Sequence, residues 1–182
     1  MLRLRQLTDL KTAQTNQRQL VIHEGVLAAS SELLAFVRNQ MRALEVEIAA
    51  LIAEDPLWRA LDEAFRSIKG VADRTVARLM AETPEIGLIS NKAIAKLVGL
   101  APLANDSGKS VGRRAVRGGR ASVRAILFVV ADVVRRYDPD FAAFHQRLQG
   151  KPKKVVRVAL AYKLIVRLNA KARDVRKSLA QA

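Results

Sequence analysis

The 182-residue chain contains no cysteine. That excludes a disulfide framework and a thiolate metal site, and it makes a reducing cytoplasm the expected compartment. Histidine is nearly absent as well. His23 and His145 do not supply the Arg and His constellation that a tyrosine nucleophile at Tyr137 or Tyr162 would need. Aromatic residues make up 4% of the chain, which leaves few ring anchors for a helix lying in a lipid interface. No stretch reaches the roughly 18 uninterrupted apolar residues of a membrane span. The N-terminal run MLRLRQLTDLKTAQTNQ has no apolar core of a secretory signal. A membrane is therefore not an expected partner. Strand-like alternation of useful length is also missing, which points to an all-α fold.

Acidic residues are scarce in one region only, and that asymmetry is informative. Residues 1–106 hold 13 Lys/Arg and 13 Asp/Glu, whereas residues 107–182 hold 19 and 4. The whole formal charge of +15 thus lies in the last two fifths of the chain. Segregated positive charge of this size indicates a polyanion partner, and with so few aromatics nucleic acid is favoured over lipid.

Half of the residues are hydrophobic, enough for one or two domains with a core. Residues 1–55 read as coiled-coil or linker helices. From Leu34 the apolar positions Leu34, Val37, Met41, Leu44, Ile48 and Leu51 alternate spacings of three and four, a heptad seam. Upstream it continues less cleanly through Leu20, His23, Leu27 and Ser30. Gly25 is a weak point at which one long helix bends or turns back. A helical hairpin, a coiled-coil dimer and an ordinary amphipathic helix all fit this pattern.

Residues 56–182 read as a compact helical domain. A helix through Trp58, Leu61 and Phe65 leads into Ser67-Ile68-Lys69-Gly70-Val71-Ala72 and then a second helix, about Arg74 to Ala81. This layout is like a helix-hairpin-helix, in which the turn at Gly70 presents backbone N–H groups to a phosphate. A plain helical turn is the alternative. Asn91 is a candidate N-cap for a short helix closed by Gly99. Residues 101–119, APLANDSGKSVGRRAVRGG, have no helical period and form a long basic Gly/Arg loop. Apolar helices resume at Arg120, after Asp138-Pro139, and from about Val155 to Arg173.

The chemistry concentrates in that loop. Lys109, Arg113, Arg114, Arg117, Arg120 and Arg124 follow one another with no acidic residue between Ser107 and Ala131. Arginine forks pair bidentately with phosphate oxygens, and the interspersed glycines let a strand approach the backbone. A second basic cluster, Lys151, Lys153, Lys154 and Arg157, serves either phosphate binding, with Lys153 and Lys154 as contacts, or helix capping. Ser107, between Asp106 and Gly108, is the candidate nucleophile, beside arginines able to stabilise a phosphorane-like transition state. Read from the residues alone, Asp-Ser-Gly is as readily a turn. Ser110 lies in the same loop. Glu82, Glu85 and Asp106 offer no convincing magnesium site, so no metal or other cofactor is expected within this chain.

The run from Ser67 to Asp174 resembles the C-terminal transposase domain of the IS110 family, grouped with IS116 and IS902. The matching pieces are Ser67-Ile68-x-Gly70-Val71, Leu97-Val98-Gly99-Leu100-Ala101-Pro102, Asp106-Ser107-Gly108, Arg117-Gly118-Gly119-Arg120 with Arg124, Gly150-Lys151-Pro152-Lys153-Lys154 and Leu168-Asn169-Ala170. The resemblance implies that Ser107 is the nucleophile that links to DNA and that Ser110 is a bystander. It further implies that the protein acts in DNA transposition and recombination of an insertion sequence, as an oligomer guided by an RNA and joined through its coiled coil to itself or to a partner transposase subunit. The chain departs from the family at Lys69, where proline is usual, and at Ala72, where a second glycine is usual. It also starts where the family's linking helix would start. The expectation is that the RuvC-like acidic nuclease domain and its carboxylates are missing, so that magnesium enters only if such a domain is supplied in trans and the chain does not complete recombination alone. Two other readings stay open: a non-catalytic regulatory module that pairs with a full-length transposase, and a basic helical protein that binds RNA or a ribosome.

Overall fold

The computed structural model describes residues 1–103 and 115–181. These residues form eight helices and one pair of two-residue strands, so the all-α class holds. No helix among them is long and apolar enough to cross a membrane. The chain divides into two compact units between Glu54 and Asp55.

The first unit is a helical hairpin of α1 (Leu2–Arg18) and α2 (Glu24–Glu54). The heptad seam of α2 is covered from within the unit: Val37 and Met41, flanked by Leu44 and Ile48, pack on Leu4 and Leu7 of α1. Leu20 and His23 do not continue the seam. The chain reverses just before Gly25, in a turn where Leu20 donates its N–H to Gln17 and Val21 donates to Arg18. The β-branched pair Val21-Ile22 is a poor helix former and marks that break.

The second unit is built around α8 (Lys153–Ala180), which packs against α3, α5, α6 and α7. Its buried side chains Leu160, Ala161, Leu164, Ile165, Leu168 and Ala172 recur at helical spacing along one face. Each buried leucine or isoleucine there contributes about 1.5–3 kcal/mol. The first helix, α3 (Pro56–Arg66), starts cleanly because Asp55 accepts the Trp58 N–H at 2.9 Å and Pro56 occupies the first turn. It leads through the Ile68–Val71 turn to α4 (Asp73–Glu82). In α5 (Asn91–Leu97) the cap is Ser90, which accepts the Ala93 N–H, and not Asn91. Ser90 holds the extended backbone that a cap needs, while Asn91 already lies inside the helix. Downstream, α6 (Ala121–Tyr137) and α7 (Pro139–Arg147) are separated by Asp138, whose carboxylate accepts the N–H groups of Asp140 and Phe141.

One buried polar residue ties the connection before α5 to α8. Asn169 is fully buried, and its Oδ1 accepts the Gly87 N–H at 2.8 Å. Its Nδ2 donates to the Ile89 carbonyl at 3.0 Å and to Asn91 Oδ1 at 2.8 Å. These three bonds hold in register the segment that carries Glu85.

Candidate nucleic-acid interface

The basic Gly/Arg segment is flanked by a small antiparallel ribbon. Strand β1 (Pro102–Leu103) pairs with β2 (Ala115–Val116), placing Pro102 opposite Val116 and Leu103 opposite Ala115. The ribbon thereby brings together the two ends of segment 104–114. Ser107, Lys109, Arg113 and Arg114 belong to that segment and lie outside the described residues.

The base of the ribbon is tied down on three sides. Gly99, which ends α5, and Gly119, which follows β2, both have positive φ and lie in close quarters: a side chain on Gly119 would strike the Gly99 backbone, and one on Gly99 would strike the Gly118 carbonyl and Arg124. Arg120 donates its backbone N–H to the Leu97 carbonyl at 2.9 Å. Arg124 donates to the carbonyls of Gly118, at 2.5 Å, and Gly99, at 3.4 Å. Most firmly held is the Arg120 guanidinium, which donates to the two oxygens of Glu85 at 2.6 and 2.5 Å and to the Glu82 carbonyl at 2.9 Å. Glu82 accepts from Arg78 Nε at 2.8 Å and from the Ser122 hydroxyl at 2.5 Å. The hydrogen bonds from Arg120, set against some loss of solvent, hold the Glu85 carboxyl below the usual carboxylate range. The same pair raises the pKa of Arg120.

Arg120 and Arg124 thus point into the protein, where they brace the ribbon. Arg117 is exposed one residue beyond β2. Gly70 turns with φ of 101°, and a Cβ there would meet Val134 Cα at 3.1 Å and Val134 N at 3.2 Å. Glycine is therefore required at that turn by its approach to α6. Asp73 occupies the first turn of α4 beside it, paired with Arg66 at 3.0 Å, so the helix end that would attract a phosphate already holds a carboxylate. No group of three His, Asp or Glu side chains able to hold a metal ion occurs among the described residues. Glu82 and Glu85 are turned to their cationic and hydroxyl partners, and this donor set does not fit a divalent cation.

Lys153 and Lys154 are exposed in the first turn of α8 and belong to a larger feature. A cleft of about 700 Å³ is lined by Arg135, Arg136, His145, Lys151, Lys153, Lys154 and Arg157, with Asp132 its one carboxylate. Asp132 lies between Arg157, at 2.9 Å, and Arg135, at 3.2 Å. Arg135 and Arg136 escaped the reading by sequence because they stand some fifteen residues before the lysine run. Only the packing of α6 against α7 and α8 brings them together.

These features define a helical domain with a strongly basic segment between two short paired strands. Residues 62–146 match the profile of the family described as Transposase IS116/IS110/IS902 family, the family that the sequence motifs resemble. The chain is also 33% identical over 153 residues to the insertion element IS110 uncharacterized 43.6 kDa protein of Streptomyces coelicolor. That similarity covers 82% of this chain and 37% of the relative, so the chain spans little more than a third of that protein's length.

Proposed function

We propose that the chain is the serine-bearing, DNA-binding transposase domain of an insertion sequence. The observation that carries this reading is the family match over residues 62–146, which takes in the whole ribbon and the segment between its strands. Ser107 is the proposed nucleophile. Its hydroxyl oxygen forms a bond to a backbone phosphorus, and the oxygen of the cleaved strand leaves with a proton. Lys109, Arg113, Arg114 and Arg117 bind the flanking phosphates and offset charge in the transition state. Arg120 and Arg124 act as positioning residues. The pairing of β1 with β2 holds the two ends of the segment that carries Ser107 close together.

Recombination in this proposal needs an acidic nuclease domain, where magnesium would be held. Further partners are a guide RNA and a second transposase subunit joined through the helical hairpin. Binding needs this chain alone. Its test is titration of labelled duplex DNA, single strands and structured RNA across a salt series. Replacing both Arg113 and Arg114 with alanine is expected to weaken binding. With the nuclease domain added, an SDS-stable protein–DNA adduct is expected that Ser107→Ala abolishes without loss of binding. Absence of binding at low salt, or an adduct that survives Ser107→Ala, overturns the corresponding part. Strand exchange by the chain alone overturns its dependence on a partner.

A further inference from the structure

The cleft between α6, α7 and α8 has a charge pattern that folding does not explain. Six cationic side chains from three parts of the chain line it against the single carboxylate of Asp132. Asp132 is satisfied by Arg135 and Arg157. Arg136, Lys151, Lys153 and Lys154 are all exposed. Like charges brought this close repel one another, and proteins accept that mainly where an anion relieves it.

A second observation points the same way. The first turn of α8 contains Lys153 and Lys154, no acidic residue and no side-chain cap. Helices favour acidic residues and hydroxyl or carboxylate caps at that end, because the N-terminus carries partial positive charge. Two lysines there oppose that charge and cost stability, most in low salt. At the start of a 28-residue helix, the arrangement is the reverse of what folding alone selects. An external anion bound against the exposed N-terminal amides and the lysines removes that conflict.

The lining also identifies the anion. Among the described residues no Phe, Tyr or Trp lines it, and the His145 imidazole is its one ring, so it lacks the succession of rings on which unstacked bases rest in single-strand binders. Its three lysines are exposed, which suits a chain of phosphates whose bases stay stacked inside a helix. The cleft is also distant from the ribbon. Arg120 and Arg136 stand at opposite ends of α6, about 24 Å apart at the α-helical rise, or roughly seven base-pair steps.

We propose that this cleft is a second phosphate site that grips the sugar–phosphate backbone of duplex DNA through Arg136, Lys151, Lys153 and Lys154, separately from the basic segment between β1 and β2. It rests on the reading of the chain as a DNA-binding transposase domain and extends it: the domain holds its DNA at two places, one for chemistry and one for alignment. Phosphate contacts of this kind fix the register of a duplex without reading its sequence.

The test is the affinity of the full chain for a labelled 20-base-pair duplex between low and moderate salt. The comparison is with a variant in which Arg136, Lys151, Lys153 and Lys154 are all glutamine. Each lost phosphate contact reduces the slope of log affinity against log salt by about 0.9 on duplex DNA. The expected result is a slope shallower by about two to four, with at least about tenfold weaker binding at low salt, uniform across unrelated sequences. The variant Lys153→Arg/Lys154→Arg keeps the charge and is expected to keep the slope. The Arg113→Ala/Arg114→Ala variant runs alongside. If it loses binding while the fourfold glutamine variant keeps the wild-type slope, the cleft proposal falls and the transposase-domain reading stands. Failure of the wild type to bind duplex at low salt sinks both. Loss of duplex RNA or acidic-peptide binding by the fourfold variant, with duplex DNA binding intact, overturns the choice of ligand. Equal loss in the charge-keeping variant shows that charge is not the cause and overturns it too.

Discussion

Arg120 and Glu85 meet as a two-pronged pair, each terminal nitrogen of the guanidinium donating to its own carboxylate oxygen at 2.6 and 2.5 Å. The pair joins the segment after α4 to the start of α6 and so fixes where the ribbon begins. Both side chains remain about one third exposed, at 34% and 35%, so water screens part of their attraction. Arg120→Ala is therefore expected to cost about 1–2 kcal/mol, including the lost bond to the Glu82 carbonyl. Urea denaturation measures this. Arg120→Lys keeps the charge but loses the fork, and is expected to recover less than half of the loss.

The same pair gives a pH signature. Glu85 has a lowered pKa in the folded state relative to its ordinary value of 4.5. In the native chain it binds a proton less readily than in the unfolded chain. Its contribution to stability is therefore fully present above about pH 4.5 and is lost as the pH falls through the lowered value. Glu85→Gln removes that dependence. The stability gap between the native chain and Glu85→Gln should be constant from pH 7 to 5 and close progressively below that. A gap that stays constant to pH 3 would show that the pair does not form.

Gly70 separates packing from DNA contact. Its φ of 101° is strained for any L side chain, and the Cβ of Gly70→Ala would press on the α6 backbone at Val134. A loss of about 1–3 kcal/mol is expected. DNA affinity, measured well below the melting temperature, should be unchanged. A variant that folds with native stability but binds DNA several-fold more weakly would instead restore the turn as a backbone contact.

Much of this architecture could be read directly from residue spacing. The apolar period of α6, the Asp138-Pro139 restart and the heptad of α2 are local signals, and local signals survive in a sequence. The partner of the α2 seam was not legible, because α1 has a weak apolar pattern and supplies little more than Leu4 and Leu7. The bracing role of Arg120 and Arg124 was equally hidden. A run of arginines has one appearance whether its forks meet phosphate or a carboxylate 35 residues away. Asn169 is the clearest case. It stands out only as a polar residue on an apolar face, while its three partners lie about 80 residues upstream.

That arrangement yields a sharp expectation for Asn169. Asn169→Leu fills similar space but strands the Gly87 N–H, which costs about 1–3 kcal/mol if left without a partner, and leaves the Ile89 carbonyl with only the longer bond from Arg173 at 3.3 Å. A loss of about 2–4 kcal/mol is expected, seen as a lower midpoint in thermal unfolding. Asn169→Asp keeps the acceptor for Gly87 but loses the donor to Ile89, and should be less stable at pH 7 than at pH 4.

Thr83 provides the opposite case. It is fully buried where α4 ends, its N–H donates to the Leu79 carbonyl, and its hydroxyl has no hydrogen-bond partner among the described residues. A buried hydroxyl without a partner has given up its bonds to water with nothing in return. Thr83→Val replaces it by a methyl of nearly the same shape and leaves the backbone bond intact. The variant is expected to be as stable as the native chain or more stable by about 0.5–1.5 kcal/mol, whereas most changes at fully buried positions destabilise. Thermal unfolding decides the sign. A loss above 1 kcal/mol, on the order of one hydrogen bond, would mean that the hydroxyl is bonded in solution, through a water held beneath the segment that carries Glu85.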